Sequence, residues 1–202
     1  VNVILQCEEG YYIADDEELD AYVNGAKAYI SAQDGDRTTL TVGYSVPVAS
    51  GVHGQVVSFC DGSDVTVSLF ADGSAEPKYT VSVPGGTKDS SGQYTTTYDI
   101  PEVAPGTYTM QVSKKNHVTR EYTVTVSGDA VTQDAKIHLM GDINGDGRIS
   151  IGDINQANLH AKGKKILLGY ELACADINGD GRVTISDINK LNLHNKGKSL
   201  LW

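Results

Sequence analysis

The sequence has few cysteines, few basic residues and no long apolar run, and each shortage excludes a class of protein. Its three cysteines, Cys7, Cys60 and Cys174, are too few and too scattered for a disulfide scaffold or a zinc site. No run of 18 or more apolar residues is present, so we expect no insertion into a membrane. Acidic residues outnumber basic ones by 26 to 16, which argues against nucleic acid as a partner.

The chain also lacks an initiator methionine and a basic start followed by an apolar run. We therefore expect no signal peptide here and interpret the chain as a C-terminal piece of a longer protein. Charge is uneven along it. From Met140 onward there are seven acidic and eight basic residues, whereas acids exceed bases by eleven before that point. This shift predicts a domain boundary near residue 140.

A repeat fills the C-terminal part of the sequence. Residues 141–168 and 175–202 are identical at 18 of 28 positions with an offset of 34 residues, which is too close to be coincidental. The second copy ends where the chain ends, so we expect a natural C-terminus. The connector at residues 169–174 is short, and we predict that the two copies pack as a pseudo-twofold pair.

Each copy begins with a loop of the pattern D-x-N-x-D-G-x5-D, which is rich in oxygen donors. Calcium prefers six to eight oxygens at about 2.3–2.6 Å, and the glycine at position 6 permits the sharp turn that brings the position-7 carbonyl into reach. The alternative is a metal-free turn rich in Asn, Asp and Gly, in which the inward acids would repel one another. The predicted ligands of two calcium ions are Asp142, Asn144, Asp146, Arg148 (through its carbonyl), Ser150 and Asp153 in the first loop, and Asp176, Asn178, Asp180, Arg182 (through its carbonyl), Thr184 and Asp187 in the second.

A helix is predicted after each loop, because apolar residues recur at helical spacing there. Gly163 and Gly197 follow as C-caps. Residues 136–139, before the first loop, alternate like a strand, so that loop has an exiting helix only. His160 and His194 have no second ligand in helical register, which favours a structural role over a metal site or a pH switch.

These loop–helix units closely resemble the dockerin family over residues 140–202, although both loops end in Asp where the general EF-hand pattern has Glu. The resemblance implies an all-α dockerin with two half EF-hand (F-hand) loops that calcium folds. It implies a cohesin module of a scaffoldin or cell-surface anchoring protein as partner, and a chain that is monomeric before cohesin binds. It also implies an extracellular, secreted protein, held at the cell surface through a cellulosome that degrades plant polysaccharides.

In the dockerin family, loop positions 10 and 11 and the outer face of the following helix contact the cohesin. For Ile151 and Ile185 the alternative to a cohesin contact is a place in the hydrophobic core. Leu159 and Leu193 fit a cohesin contact and a core position equally well. Near-symmetry of the two copies predicts an interface usable in two orientations. The contacts that the resemblance implies are Ile151, Gly152, Asn155, Asn158, Leu159 and Lys162 in the first copy, and Ile185, Ser186, Asn189, Asn192, Leu193 and Lys196 in the second.

Residues 53–139 predict an all-β sandwich, because period-two alternation is broken by turn residues every 8–12 positions. Strands are expected around residues 65–69, 79–83, 94–100, 108–112, 122–126 and 137–139. The run PGTYTMQVSKKNHVTREYTVTV resembles carboxypeptidase-regulatory-like (transthyretin-like, immunoglobulin-like) or Cna-B-type sandwiches. No linker separates Leu139 from Asp142, so we expect an X-module-like companion docked rigidly to the dockerin.

Residues 1–52 predict a small β region or extra strands on the sandwich. Residues 15–30 permit either an amphipathic helix or a hairpin at Asn24-Gly25, and the β-prone neighbours favour the hairpin. Residues 38–46 predict a strand.

We predict a multi-domain, non-catalytic adaptor, since residues 53–139 contain no convergent His, Ser, Asp and Glu set. The alternative is the C-terminal part of a glycoside hydrolase or other enzyme, whose β module is a carbohydrate-binding module or a spacer. The tyrosines that could stack on sugars, or serve as core and cross-strand residues, are Tyr11, Tyr12, Tyr22, Tyr94 and Tyr98.

Overall fold

The computed structural model describes residues 50–202 throughout and, before them, the strands at residues 2–6, 21–23, 26–33 and 39–43. The chain forms two compact units, Val1–Val48 and Ala49–Trp202. Among the described residues, no helix is long and apolar enough to cross a membrane.

The first unit contains a four-stranded antiparallel sheet. Its strands are β1 (Asn2–Gln6), β2 (Ala21–Val23), β3 (Ala26–Gln33) and β4 (Thr39–Gly43), in the order β1-β4-β3-β2. β2 and β3 pair with Val23 opposite Ala26. This is the pairing expected of the hairpin, and the helical alternative for residues 15–30 is wrong where the structure describes them. β4 lies within the strand predicted at residues 38–46.

The second unit begins with a sandwich of two sheets. One sheet is antiparallel, in the order β11-β10-β6-β7, and consists of β6 (Val65–Ala71), β7 (Tyr79–Val83), β10 (Gly106–Lys114) and β11 (Arg120–Val126). The other consists of β5 (Val52–Ser58), β8 (Thr87–Lys88), β9 (Tyr94–Ile100), β12 (Val131–Thr132) and β13 (Ala135–Lys136). β12 and β13 both run parallel to β5, along one edge of it.

The core of the sandwich follows the period of two in the sequence. Val65, Val67 and Leu69 of β6 are fully buried, and in the ladder with β10 Val67 lies opposite Val112 and Leu69 opposite Met110. Since side chains alternate between the faces of a strand, one buried residue in two is enough to fill the space between the sheets. The predicted sandwich is confirmed.

The predicted strand at residues 137–139 is wrong in its bounds. β13 ends at Lys136, and the chain then changes partners. The His138 carbonyl accepts from the Val118 amide at 3.0 Å, and Leu139 forms an isolated bridge with His117. The chain must leave the sheet here to enter the first loop, so the ladder cannot continue.

Three helices form the C-terminal part: α1 (Ile151–Ala161), α2 (Gly169–Ala175) and α3 (Ile185–Asn195). A second core unites all three helices, and its buried residues include Ile154 and Ala157 of α1, Ala175 of α2, and Ile188 and Leu191 of α3. The predicted exiting helices are confirmed as α1 and α3. The short connector at residues 169–174 forms α2 together with Ala175.

Candidate functional site

The backbone of each repeat loop wraps around its first carboxylate. In the first loop, Asp142 Oδ1 accepts from the amides of Gly145 (2.8 Å) and Asp146 (3.1 Å), and Oδ2 accepts from Gly147 (2.8 Å). In the second loop, Asp176 accepts from the residues at the same three positions at 2.9, 3.2 and 2.7 Å. The two loops therefore share one backbone conformation.

The last carboxylate of each loop closes it onto the helix. Asp153 Oδ1 accepts from the amides of Ile143 (2.9 Å) and Asn144 (3.1 Å), and Oδ2 accepts from the amide and hydroxyl of Ser150. Ser150 in turn caps α1, so Asp153 is both the loop closure and half of a capping box. Asp187 and Thr184 make the matching set at α3. Both aspartates are fully buried.

The middle positions of each loop bond to one another near its exposed mouth. Asn144 Nδ2 donates to Asp146 Oδ2 at 3.0 Å, and Asp146 Oδ1 accepts from the Arg148 amide at 2.9 Å. Asn178, Asp180 and Arg182 repeat this at 2.8 and 2.9 Å. Within the described part of the chain, no three His, Cys, Asp or Glu side chains cluster as a metal site. Beside its carboxylates, each loop offers amide, hydroxyl and backbone carbonyl oxygens.

The electrostatics of the first loop fit a cation. Burial, together with the neighbouring carboxylates of Asp153 and Asp146, raises the pKa of Asp142 to about 6 from the usual value near 3.8, against the opposing effect of the hydrogen bonds from the Gly147 and Gly145 amides. A buried carboxylate among other carboxylates is costly unless a positive charge compensates it. The donor set is oxygen throughout, which suits a hard ion such as calcium.

The outer faces of α1 and α3 carry matched exposed residues. Ile151 and Ile185 are 62% and 66% exposed, so the alternative that placed them in the core is wrong. One turn on, Ile154 and Ile188 fill the core instead. The remaining predicted contact residues are exposed or half-buried, namely Gly152, Asn155, Asn158, Leu159, Lys162, Ser186, Asn189, Asn192, Leu193 and Lys196.

The histidines near the helix ends are structural, as predicted. His160 Nδ1 accepts from the Leu167 amide at 2.9 Å, and His194 Nδ1 accepts from the Leu201 amide at 3.1 Å. Each ring thus fastens the segment after its helix. Gly163 and Gly197, with φ of 64° and 63°, end the helices in the left-handed conformation expected of C-cap glycines.

Two of the tyrosines considered as sugar platforms, Tyr94 and Tyr98, have described side chains, and both make contacts within the sandwich. Tyr98 is buried, and its hydroxyl donates to the Gln133 carbonyl at 2.7 Å. The ammonium of Lys114 lies over the half-buried Tyr94 ring, 5.0 Å from its centroid. Tyr11 and Tyr12 lie outside the described residues, and Tyr22 lies in β2.

Sequence reasoning missed the contacts that join the first loop and α2 to the sandwich. The Tyr170 hydroxyl donates to the Val118 carbonyl at 2.7 Å and accepts from the His138 amide at 2.9 Å. The Arg120 guanidinium lies 4.6 Å from the centroid of the Tyr170 ring. The Phe59 ring, at the end of β5, lies against the backbone of Gly147. The only sequence signal was the missing linker before Asp142.

This geometry defines a β-sandwich continued, without a linker, by a duplicated loop–helix domain of the half EF-hand class. A family model described as "Dockerin type I domain" matches residues 140–194. That segment is accordingly a dockerin type I domain.

Comparison with curated proteins gives no match. Two similar solved structures are an N-terminal and a C-terminal interface mutant of a type II cohesin–X-dockerin complex from Acetivibrio cellulolyticus. The first is 22% and the second 20% identical to this chain, and each has a TM-score of 0.33. Each match covers 72% of this chain and 94% of the solved one.

Proposed function

We propose that residues 140–202 bind two calcium ions, one in each repeat loop, and that the loaded domain docks to a cohesin module. The observation that carries the proposal is the duplicated loop, in which two separate segments fold the same backbone around a first aspartate and close it with a last one. A duplication kept to this detail in an oxygen-rich loop supports one shared ligand.

The ligand roles follow from loop position. Asp142, Asn144, Asp146 and Asp153 would supply side-chain oxygens, Arg148 its carbonyl, and Ser150 an oxygen directly or through water. The second loop would use the matching residues, namely Asp176, Asn178, Asp180, Arg182, Thr184 and Asp187. Bound calcium would supply the positive charge that offsets the repulsion among these carboxylates.

The cohesin-binding face would be the exposed sides of α1 and α3. Its support is the pair of large apolar side chains at loop position 10, Ile151 and Ile185, which stay in solvent although the core lies one turn away. Exposed isoleucines flanked by asparagines and lysines are typical of a protein-binding patch with a polar rim.

In this proposal the protein is a non-catalytic adaptor of an extracellular, cell-surface cellulosome that degrades plant polysaccharides. The β-sandwich would be an X-module-like companion that stabilises the dockerin or extends its interface. The bonds of Tyr170 to the sandwich support the first of these roles.

Calcium removal tests the proposal. A metal that binds only the folded state adds about 2.7 kcal/mol per site at a hundred times its Kd, and so small a helical core depends on it. We expect EDTA to abolish most of the helical circular dichroism of the C-terminal part and all binding in a titration against a panel of cohesins. Unchanged spectra in EDTA would refute the calcium role, and calcium binding without affinity for any cohesin would refute the docking role.

A further inference from the structure

We propose that the β-sandwich makes the two calcium loops unequal. In this inference Phe59, assisted by His138, is a positioning residue for the first loop, which therefore binds calcium more tightly and fills before the second. The inference rests on the proposed calcium binding and deepens it.

The glycines of the two loops provide a matched comparison. Gly145 and Gly179 both have φ of 71°, and Gly147 and Gly181 have φ of 85° and 82°. A Cβ placed on Gly145 would clash with the His138 ring, and one placed on Gly147 would clash with the Phe59 ring. A Cβ on Gly179 or Gly181 would meet nothing within 4 Å. The same backbone conformation is therefore packed against the aromatic side chains of Phe59 and His138 in the first loop, which we call the brace, and has no such contact at Gly179 and Gly181 in the second.

Burial follows the same division. Asp142 and Gly145 are buried, whereas Asp176 is half-buried and Gly179 is exposed. The sandwich covers one wall of the first loop, and the second loop has solvent on the corresponding side.

The brace is fixed from the sandwich side. The Phe59 amide donates to His117 Nε2 at 3.0 Å, and the Phe59 carbonyl accepts from Lys114 Nζ at 3.3 Å. Lys114 is itself buried and also donates to the Ser58 hydroxyl at 3.0 Å. Phe59 is 2% exposed and belongs to neither of the two core clusters. The backbone of Phe59 is thus held by groups that are not part of the loop.

A loop held in its binding conformation has a higher apparent affinity, because the observed Kd is the intrinsic Kd divided by the fraction of molecules that are competent to bind. An unbraced loop must lose its conformational freedom when it binds. Coupling between two sites of a protein typically changes affinity by about 5- to 150-fold, and we take the same range for the effect of the sandwich on the loop. We expect the first loop to be tighter than the second by a factor in this range.

The test is a calcium titration of the whole chain followed by nitrogen–proton correlation spectra. The amides of Gly147 and Gly181 donate to Asp142 Oδ2 and Asp176 Oδ2 at 2.8 and 2.7 Å, so each reports the filling of its own loop. In the unaltered protein the Gly147 signal should move at lower calcium than the Gly181 signal. Phe59→Ala should weaken the first loop at least fivefold and leave the second unchanged.

Two further variants separate positioning from general stability. Val67→Ala removes a fully buried side chain of the same sandwich, in a core cluster to which Phe59 does not belong, and should leave the order of filling intact. Phe59→Leu keeps an apolar side chain against Gly147 and should restore most of the difference.

Each result has one meaning. If both signals move together in the unaltered protein, or if Phe59→Ala weakens both loops equally, the inference is wrong. If neither signal moves at any calcium concentration, the proposed calcium binding fails instead. Should Phe59→Ala fail to fold, the order of filling in the unaltered protein and in Phe59→Leu still decides the question.

Discussion

Gly147 and Gly181 occupy the same position in the two loops and differ only in what surrounds them. Either glycine changed to Ala places a Cβ at positive φ, which costs roughly 1–2 kcal/mol. Gly147→Ala must also displace the buried Phe59 ring, and overpacking of this kind adds about 1–3 kcal/mol. We expect Gly147→Ala to lower the free energy of unfolding more than Gly181→Ala does, as measured by urea unfolding in saturating calcium. Equal decreases in the free energy of unfolding for the two variants would show that Phe59 is not packed against the first loop.

His117 predicts a pH dependence of stability. Its Nε2 accepts from the Phe59 amide and its Nδ1 donates to the Lys115 carbonyl at 2.7 Å, so the ring is neutral in the folded protein. Burial lowers the pKa of His117 to about 4, from the usual value near 6.5. Between these values the unfolded chain binds the proton more readily, so this contribution is full above pH 6.5 and is lost as the pH falls towards 4. The loss over that window is about 3 kcal/mol.

The control for this prediction is His117→Gln, whose amide can still donate and accept but does not titrate. Urea unfolding at several pH values between 7 and 4, in saturating calcium, should give a shallower slope for the variant than for the unaltered protein. Parallel slopes would mean that other groups account for the acid sensitivity.

At the scale of single residues, the sequence predicted the loop positions but not their surroundings. The aspartates and glycines of a loop lie within twelve residues of each other, so their spacing alone indicates the turn and the donors. Phe59 contacts Gly147 although most of the sandwich sequence lies between them, and Lys114 donates hydrogen bonds to the distant Ser58–Phe59 segment. No local pattern records such contacts, because they depend on how the sheets pack.

At the scale of elements, local signals decided what could be predicted. α1 and α3 each begin at a capping box, formed by Ser150 with Asp153 and by Thr184 with Asp187. Each helix is followed by a glycine, so sequence signals predict where both helices begin and end. α2 has seven residues, too few to show a helical period, and Leu168 at its N-cap makes no side-chain bond. β13 was misplaced because alternation continues through Leu139, although the chain has already left the sheet.

α2 is one place where the sandwich contacts the helical part, the first loop being another, and Tyr170→Phe tests the contribution of α2. The change leaves the Val118 carbonyl and the His138 amide without a partner, which costs about 1–3 kcal/mol. We expect the helical part to unfold before the sandwich in this variant. Trp202 is the only tryptophan of the chain and its ring lies 4.9 Å from that of His194, so its fluorescence reports the helical part.

Tyr108→Phe is the matched control, because the Tyr108 hydroxyl donates to the Ala104 carbonyl at 2.9 Å within the sandwich alone. We expect Tyr108→Phe to lower the free energy of unfolding of the whole second unit. Trp202 fluorescence and the circular dichroism of the whole chain should then still report a single shared unfolding transition. A single shared transition in Tyr170→Phe as well would show that this hydroxyl does not couple the two parts.

At the scale of the whole molecule, the second unit combines one asymmetric feature with one symmetric one. Of the two loops, the sandwich packs against the glycines of the first and not against those of the second. The outer faces of α1 and α3 nevertheless expose equivalent residues, with Leu159 and Leu193 at 39% and 41%. The sequence predicted the symmetric part, because a repeat is visible as such. The asymmetric part arises when one repeat follows directly on a folded sandwich, and only the three-dimensional packing reveals it.

The symmetric face predicts two ways of docking. If a cohesin can bind in two orientations related by a half turn, one centred on each helix, then removing one orientation should weaken binding only about twofold, because one of two equivalent states is lost. We expect this for Asn158→Ala with Leu159→Ala, and equally for Asn192→Ala with Leu193→Ala. All four changes together should abolish binding in a calorimetric titration. Loss of all affinity from one pair alone would establish a single orientation and locate it on that helix.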